Sequence, residues 1–120
     1  MASHYQYGRW KELQVAEFFA RRGYEVARTQ GSRGSFDLVA TKGRRRLFVQ
    51  VKATRKDFAD SSRLPQYDQT RLLRSAAAGK AHPLLALVSR NDVVLFSARD
   101  LRVLDYGRLK PLRDPYSEHT

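Results

Sequence analysis

The sequence predicts a single α/β domain, a central mixed β-sheet flanked by helices. Three observations carry that reading. The chain has 120 residues, enough for one hydrophobic core and too few for two large domains. Its hydrophobic content of 42% suffices for one sheet with a few helices against it. Hydrophobic periodicity runs helix, strand, strand, strand, helix, strand, strand, with no internal repeat and no low-complexity linker. The domain is expected over residues 1–104, followed by a polar tail or arm over 105–120 that contains Pro111 and Pro115.

The first helix is expected from Tyr7 to Arg22, where Leu13, Ala16, Glu17 and Ala20 are good helix formers, and it stops at Gly23. Tyr24 to Gln30 alternates in character and reads as a strand, followed by a Gly31–Ser35 loop, GSRGS, with two glycines. Ser35 to Thr41 and Arg45 to Thr54 are two more strands. The turn Lys42-Gly43-Arg44 joins them, and a type II′ placement with Gly43 first sets Lys42 opposite Arg45. Gln66 to Ala78 is the second helix, closed by Gly79. Leu84 to Ser89 and Val93 to Ser97 are short apolar strands flanking the turn Arg90-Asn91-Asp92.

Composition then bounds the function. Twenty-three Lys and Arg against 12 Asp and Glu give a net charge of +11, with the larger excess in residues 1–60. A pI near 10.6 calls for a polyanionic partner, nucleic acid first. The absence of cysteine excludes disulfides, thiolate metal sites and cysteine nucleophiles, and is compatible with the reducing cytosol. No apolar run approaches the roughly 18 residues of a spanning helix, so a cytoplasmic, DNA-associated protein without a membrane partner is expected. His4, His82 and His119 show no paired ligand spacing, and neither a P-loop nor a nucleophile elbow occurs.

On a helical projection Leu13, Val15, Ala16, Phe19 and Ala20 form one apolar arc of the first helix, and Glu12 falls near its middle. A carboxylate there needs a buried Arg, a metal or hydrogen-bond donors beneath it. In the expected hairpin register Asp37 faces Gln50, and strand alternation puts Asp37, Gln50 and Lys52 on one face. Leu47, Val49, Val51 and Ala53 point the other way. Two hard carboxylates, the Gln50 amide oxygen and the Val51 carbonyl suit Mg²⁺ and phosphodiester hydrolysis, with Lys52 orienting water or stabilising charge on the phosphate. A buried Asp37 to Lys52 salt bridge satisfies the same spacing.

The run Gly8, Glu12, then Arg28 through Ala40 (RTQGSRGSFDLVA), then Phe48-Val49-Gln50-Val51-Lys52, resembles the PD-(D/E)xK nuclease superfamily, and within it the archaeal-type Holliday junction resolvases. The resemblance covers residues 5–104. It implies a restriction-endonuclease-like fold, a homodimer, Mg²⁺ with Mn²⁺ able to take its place, and four-way DNA junctions as substrate. It makes Asp37 the principal metal ligand, Glu12 the helix acid, Lys52 the catalytic lysine and Ser32 a residue near the scissile phosphate. Gln69 corresponds to a glutamine that such nucleases often carry. Gln50 departs from the resolvase pattern, where Glu is usual. That removes a charge from the cation shell, although Gln-x-Lys also occurs in the Mrr-type branch.

Arg44, Arg45 and Arg46 at the hairpin tip, and Arg55 and Lys56 after the catalytic strand, are expected to contact phosphates beside the site. Arg9, Arg33 and Gln69 join them as expected DNA contacts. Tyr5, Tyr7 and Tyr67 are available to stack on exposed bases. The function expected is structure-specific DNA cleavage at four-way junctions. An Mrr-like endonuclease and a non-catalytic basic DNA-binding protein of the same fold are the alternatives.

Overall fold

The computed structural model describes residues 4–29, 36–53 and 69–110, with the side chains of His4 and Tyr5 left out. Element order is α1 (His4–Arg21), β1 (Glu25–Arg28), β2 (Leu38–Lys42), β3 (Arg45–Ala53), α2 (Gln69–Ala78), β4 (His82–Val88), β5 (Asp92–Ser97) and β6 (Val103–Arg108). The strands form one sheet in the order β1-β2-β3-β4-β5-β6. Only β3 and β4 run parallel, and α2 lies between them in the chain. The expected mixed sheet flanked by helices is therefore present.

Local chemistry explains where the elements end. After α1 the chain turns through Gly23 in the left-handed region (φ 89°), with Gly23 N–H donating to Ala20 and Tyr24 N–H donating to Phe19. That is a Schellman closure, and the Tyr24 ring meets Phe19 at 5.6 Å to complete its hydrophobic contact. In the β2–β3 hairpin Gly43 has φ 60° and Lys42 pairs with Arg45, as the type II′ turn requires. The expected register is observed: Leu38 pairs with Val49 and Val39 with Phe48.

Gly79 does not close α2 in the way expected. The left-handed residue is Lys80 (φ 52°), one position later. Gly79 is needed for a different reason, because a Cβ there would lie 2.6 Å from Cζ of Phe48.

Both sheet faces are packed. Leu47, Val49 and Val51 of β3 point to α1 and pack with Val15, Phe18 and Phe19, while Phe48 points to α2 and packs with Leu72 and Ala76. The buried stripe of α1 is Lys11, Gln14, Val15, Phe18 and Phe19, which corrects the expected arc: Leu13 is half-buried and Ala20 exposed. Lys11 is tolerated inside because its ammonium donates to the Arg90 carbonyl and lies 4.7 Å from the Trp10 ring centroid. Gln14 donates to the Lys110 carbonyl at 3.0 Å. Tyr7, expected to be available for bases, packs edge-on against Trp10.

The boundary expected at residue 104 falls inside a strand. β6 is an edge strand whose six residues are mostly exposed, the apolar Val103, Leu104 and Tyr106 among them, and it is formed by pairing with β5. Residues 111–120, with Pro111 and Pro115, lie outside the described residues. Among the described residues no helix is long and apolar enough to cross a membrane.

Two neighbouring substitutions test the end of α2. Gly79→Ala should lower stability by about 1–3 kcal/mol through overpacking on Phe48, whereas Lys80→Gly should raise it by up to about 1 kcal/mol by removing a side chain from the left-handed region. Urea unfolding of both proteins checks the opposite signs.

Candidate functional site

The backbone places Asp37 before its side chain does. Asp37 N–H donates to the Val49 carbonyl at 2.8 Å, and its own carbonyl accepts from Thr29 N–H at 2.9 Å. Asp37 is thus held between β3 and the end of β1, one residue before β2 begins. Its carboxylate Oδ2 accepts from Val51 N–H at 2.8 Å and from Gln50 Nε2 at 3.0 Å. In an extended strand the N–H and C=O of one residue point to the same edge, so the Val51 carbonyl also faces this opening.

Gln50 and Lys52 lie on the sheet face that α2 covers, as expected. Asp37 departs from the expected pairing with Gln50: its N–H bonds the carbonyl of Val49, which Leu38 already faces, and Phe36 before it stacks on Phe48 on the α2 face, so strand alternation is broken there and the carboxylate turns to the edge of β3, to Val51 N–H and the Gln50 amide. Glu12 arrives from the face where α1 packs, and the two carboxylates meet around the open end of β2. Glu12 has the arginine that the plainer reading of an inward carboxylate required, although a partly buried one. Arg28, opposite Leu38 on β1, brings Nη2 to 3.8 Å from Glu12 Oε1. Its Nε and Nη2 atoms are buried and have no hydrogen-bond partner among the described residues. Lys52 is near enough to favour the Asp37 carboxylate, yet no direct ion pair joins them.

Burial pushes the Asp37 carboxyl up from its ordinary value, opposed by the Val51 hydrogen bond and by the charges of Lys52 and Arg28. Burial also raises Glu12, and repulsion from Asp37 adds to it, while Arg28 and Arg9 act in the opposite direction. The site therefore holds two carboxyls short of positive charge.

Its donor set is limited. Among the described residues no group of three or more His, Cys, Asp or Glu could hold a metal. Two carboxylates and the Val51 carbonyl remain, hard oxygens that fit a divalent cation keeping several waters. Gln50 turns its nitrogen, not its oxygen, toward Asp37. Its first role here is to orient that carboxylate.

The remaining expected residues scatter. Arg44, Arg45 and Arg46 are exposed at the hairpin tip, seven residues of β3 from Lys52 in the case of Arg45, or about 23 Å along an extended strand. They are not beside the site, because the turn that sets the register also carries them to the opposite end of the sheet. Arg45 donates toward the Tyr24 hydroxyl at 3.5 Å, and Arg46 donates to the Gly79 carbonyl at 3.2 Å. Gln69 donates to the Ala98 carbonyl. Ala98 N–H in turn bonds the Pro83 carbonyl, level with Phe48, so Gln69 ties α2 to the sheet about 13 Å from Lys52. Arg9 lies on α1 near Glu12. Ser32, Arg33, Arg55, Lys56 and Tyr67 lie outside the described residues.

Arg28 is the site residue that sequence reasoning passed over. The signal existed in the spacing: once Asp37 follows a strand and a tight loop, the last residue of the preceding strand must sit beside it.

Comparisons with known proteins bear on the family and the fold. A family model described as archaeal Holliday junction resolvase (Hjc) matches residues 3–111. A UPF0102 protein of Cereibacter sphaeroides is 33% identical over 99 residues, 78% of this chain and 84% of its own length. The Holliday junction resolvase Hjc of Archaeoglobus fulgidus superposes with a TM-score of 0.61 at 24% identity, covering 76% of each chain. The bacterial homing endonuclease I-Ssp6803I gives 0.60 at 14% identity over 99% of this chain and 85% of its own. At these identities both structures show the fold, a restriction-endonuclease-like α/β architecture.

The raised carboxyls set a pH dependence. Between the unfolded and folded titration ranges the native state binds more protons, so stability falls as pH rises through that window. Below the unfolded range the effect vanishes, and above the folded range it is complete. Asp37→Asn keeps an acceptor for Val51 N–H and removes the charge. The variant should gain stability over wild type as pH rises above the carboxylate range and lose that gain in acid. Denaturant unfolding over a pH series measures this; a pH-independent difference would contradict it.

Proposed function

The chain belongs to the family of the archaeal Holliday junction resolvases, and on that premise we propose that it is an endonuclease that hydrolyses phosphodiesters of four-way DNA junctions, using Mg²⁺ and acting as a homodimer. The observation that carries the reading is the Asp37 carboxylate, fixed by Val51 N–H and the Gln50 amide beside Glu12, Arg28 and Lys52 at the open end of β2. Nuclease family membership and endonuclease-like architecture support it.

Glu12, Asp37 and the Val51 carbonyl would hold the cation, with Gln50 Oε1 available as a fourth oxygen if its amide turns over. When bound, Mg²⁺ or Mn²⁺ stabilises charge on the phosphate and lowers the proton affinity of the attacking water. The residues do the rest. Asp37 is kept in one orientation by two donors, so binding a cation requires little rearrangement of it. Lys52, on the face it shares with Gln50, directs its ammonium to a non-bridging phosphate oxygen or to the attacking water, where its positive charge is worth most as charge grows in the transition state. Arg28 favours the ionised form of Glu12 against burial and the charge of Asp37, and helps to hold it in place. Ser32 is proposed near the scissile phosphate, and Arg9, Arg33, Arg55 and Lys56 as phosphate contacts. Arg44, Arg45 and Arg46 would meet a separate segment of the DNA, given their distance from Lys52. No DNA role is proposed for Gln69, whose amide is committed to Ala98.

Gln50 favours a second reading, a DNA-binding protein of the same fold without cleavage, since one fewer carboxylate weakens a hard-cation shell. One experiment separates the two. Wild type, Asp37→Asn, Lys52→Ala and Gln50→Glu are incubated with a synthetic four-way junction and a linear duplex across a Mg²⁺ series and in EDTA. Wild type should cut the junction only with the cation, Asp37→Asn and Lys52→Ala should bind without cutting, and Gln50→Glu should reach half-maximal rate at lower Mg²⁺. Cleavage by Asp37→Asn at the wild-type rate would remove the site assignment. Binding without cleavage by any of the proteins would establish the second reading, and equal cutting of duplex and junction would redirect the substrate to ordinary duplex DNA.

A further inference from the structure

At the opposite end of the sheet from Asp37 an open cavity of about 570 Å³ lies on the α1 side. Its floor is apolar, made by Phe19, Leu47, Leu84 and Leu95. Its rim is cationic: Arg22, Lys42, Arg45, Arg99 and Arg102 line it against the single carboxylate of Asp105. That carboxylate is already paired with Arg22 at 2.5 Å. Lys42 donates to the Arg22 carbonyl and sits 5.6 Å from the Tyr24 ring centroid. Arg99 and Arg102 are exposed; their backbone N–H groups are held by Ser97 and Asp100, and neither guanidinium has a partner among the described residues.

An inorganic anion would satisfy the rim and leave the floor in water. An apolar ligand would satisfy the floor and leave four guanidinium or ammonium charges uncompensated. The shape and chemistry match a molecule with an apolar plane at one end and a phosphate at the other. We propose that this cavity is a second nucleic-acid subsite that takes one unpaired nucleotide, its base on the Phe19–Leu47–Leu84–Leu95 floor and its phosphate among Arg45, Arg99 and Arg102. Guanidinium forks suit phosphate oxygens, and a base reaches such a floor only when it is unstacked from a duplex. From Leu47 to Lys52 the strand rises about 17 Å, so the subsite is separate from the carboxylate cluster and does not depend on whether that cluster cuts. A strand end, a flap or the unpaired centre of a branched DNA would supply the nucleotide, and so would a free mononucleotide.

The test is equilibrium binding of the whole chain in EDTA, read by fluorescence anisotropy. The probes are an oligothymidylate of about ten nucleotides and an abasic phosphodiester of the same length and charge. Wild type should prefer the thymidylate by about fivefold or more, the range of one stacked base. The Arg99→Ala, Arg102→Ala double variant should lose most of that preference and show a salt slope lower by about 1.4, two single-strand phosphate contacts. Both side chains are exposed, and thermal melting checks that the fold is intact. Competition by thymidine monophosphate identifies a free nucleotide as a sufficient ligand; binding of the oligomer without such competition identifies the strand. Equal affinity for the two probes, or an unchanged preference in the double variant, overturns the proposal. A double variant that binds normally but changes oligomeric state in light scattering overturns it in favour of contact between two copies of the chain.

Discussion

A two-residue turn at Gly43-Arg44 sets Lys42 opposite Arg45, and almost every feature of the site follows from that pairing. Counting back from the turn, β2 reaches only to Leu38, while β3 continues past it to Ala53. The Val51 N–H, which a longer β2 would have bonded, turns instead to the Asp37 carboxylate. A slip of one residue would move Asp37 away from Gln50 and exchange the faces of every side chain on β3. Leu47, Val49 and Val51 would leave the α1 core, and Phe48 would leave α2. The apolar packing on both faces therefore protects the register, and the register builds the site.

The same construction creates an electrostatic strain. Glu12 and Asp37 approach each other partly withdrawn from water: burial raises both carboxyls, and Asp37 raises Glu12 further. Arg28 answers part of that demand and leaves two of its own buried nitrogens without hydrogen-bond partners. A site with unsatisfied donors beside charge-deficient carboxyls is poised for ligands rather than for stability. On the proposed function that ligand is a cation with a phosphate. Gln50 would make such a cation shell poorer by one charge than a three-carboxylate site.

Much of this was legible from local sequence, because hairpin register and strand alternation are short-range rules. The β2–β3 pairing and the face shared by Gln50 and Lys52 needed only the position of Gly43, whereas the break in alternation at Asp37 did not follow from it. What could not be read was fixed by distant partners. Lys11 and Gln14 look like surface residues of a helix, and they are buried because the carbonyls of Arg90 and Lys110, far along the chain, receive their protons. β6 leaves Val103, Leu104 and Tyr106 exposed rather than in the core, and it becomes a strand through its pairing with β5. The arginines of the hairpin read as neighbours of the site because they are close in sequence, whereas an extended strand converts each residue into distance. Gly79 looked like a helix stop, and its real constraint is a ring, Phe48, on another element.

The sheet thus has two unlike ends, a carboxylate end at the start of β2 and a cationic end around the hairpin. The central claim is that a hard cation belongs to the first and not to the second. Paramagnetic broadening of backbone amide signals by Mn²⁺, titrated from trace amounts into the metal-free protein, tests it without any substrate. The account predicts that the amides of Glu12, Asp37, Val51 and Lys52 broaden first while those of Lys42 to Arg46 stay sharp. Broadening centred elsewhere, or spread evenly over the exposed carboxylates with Asp37 and Val51 untouched, would contradict it.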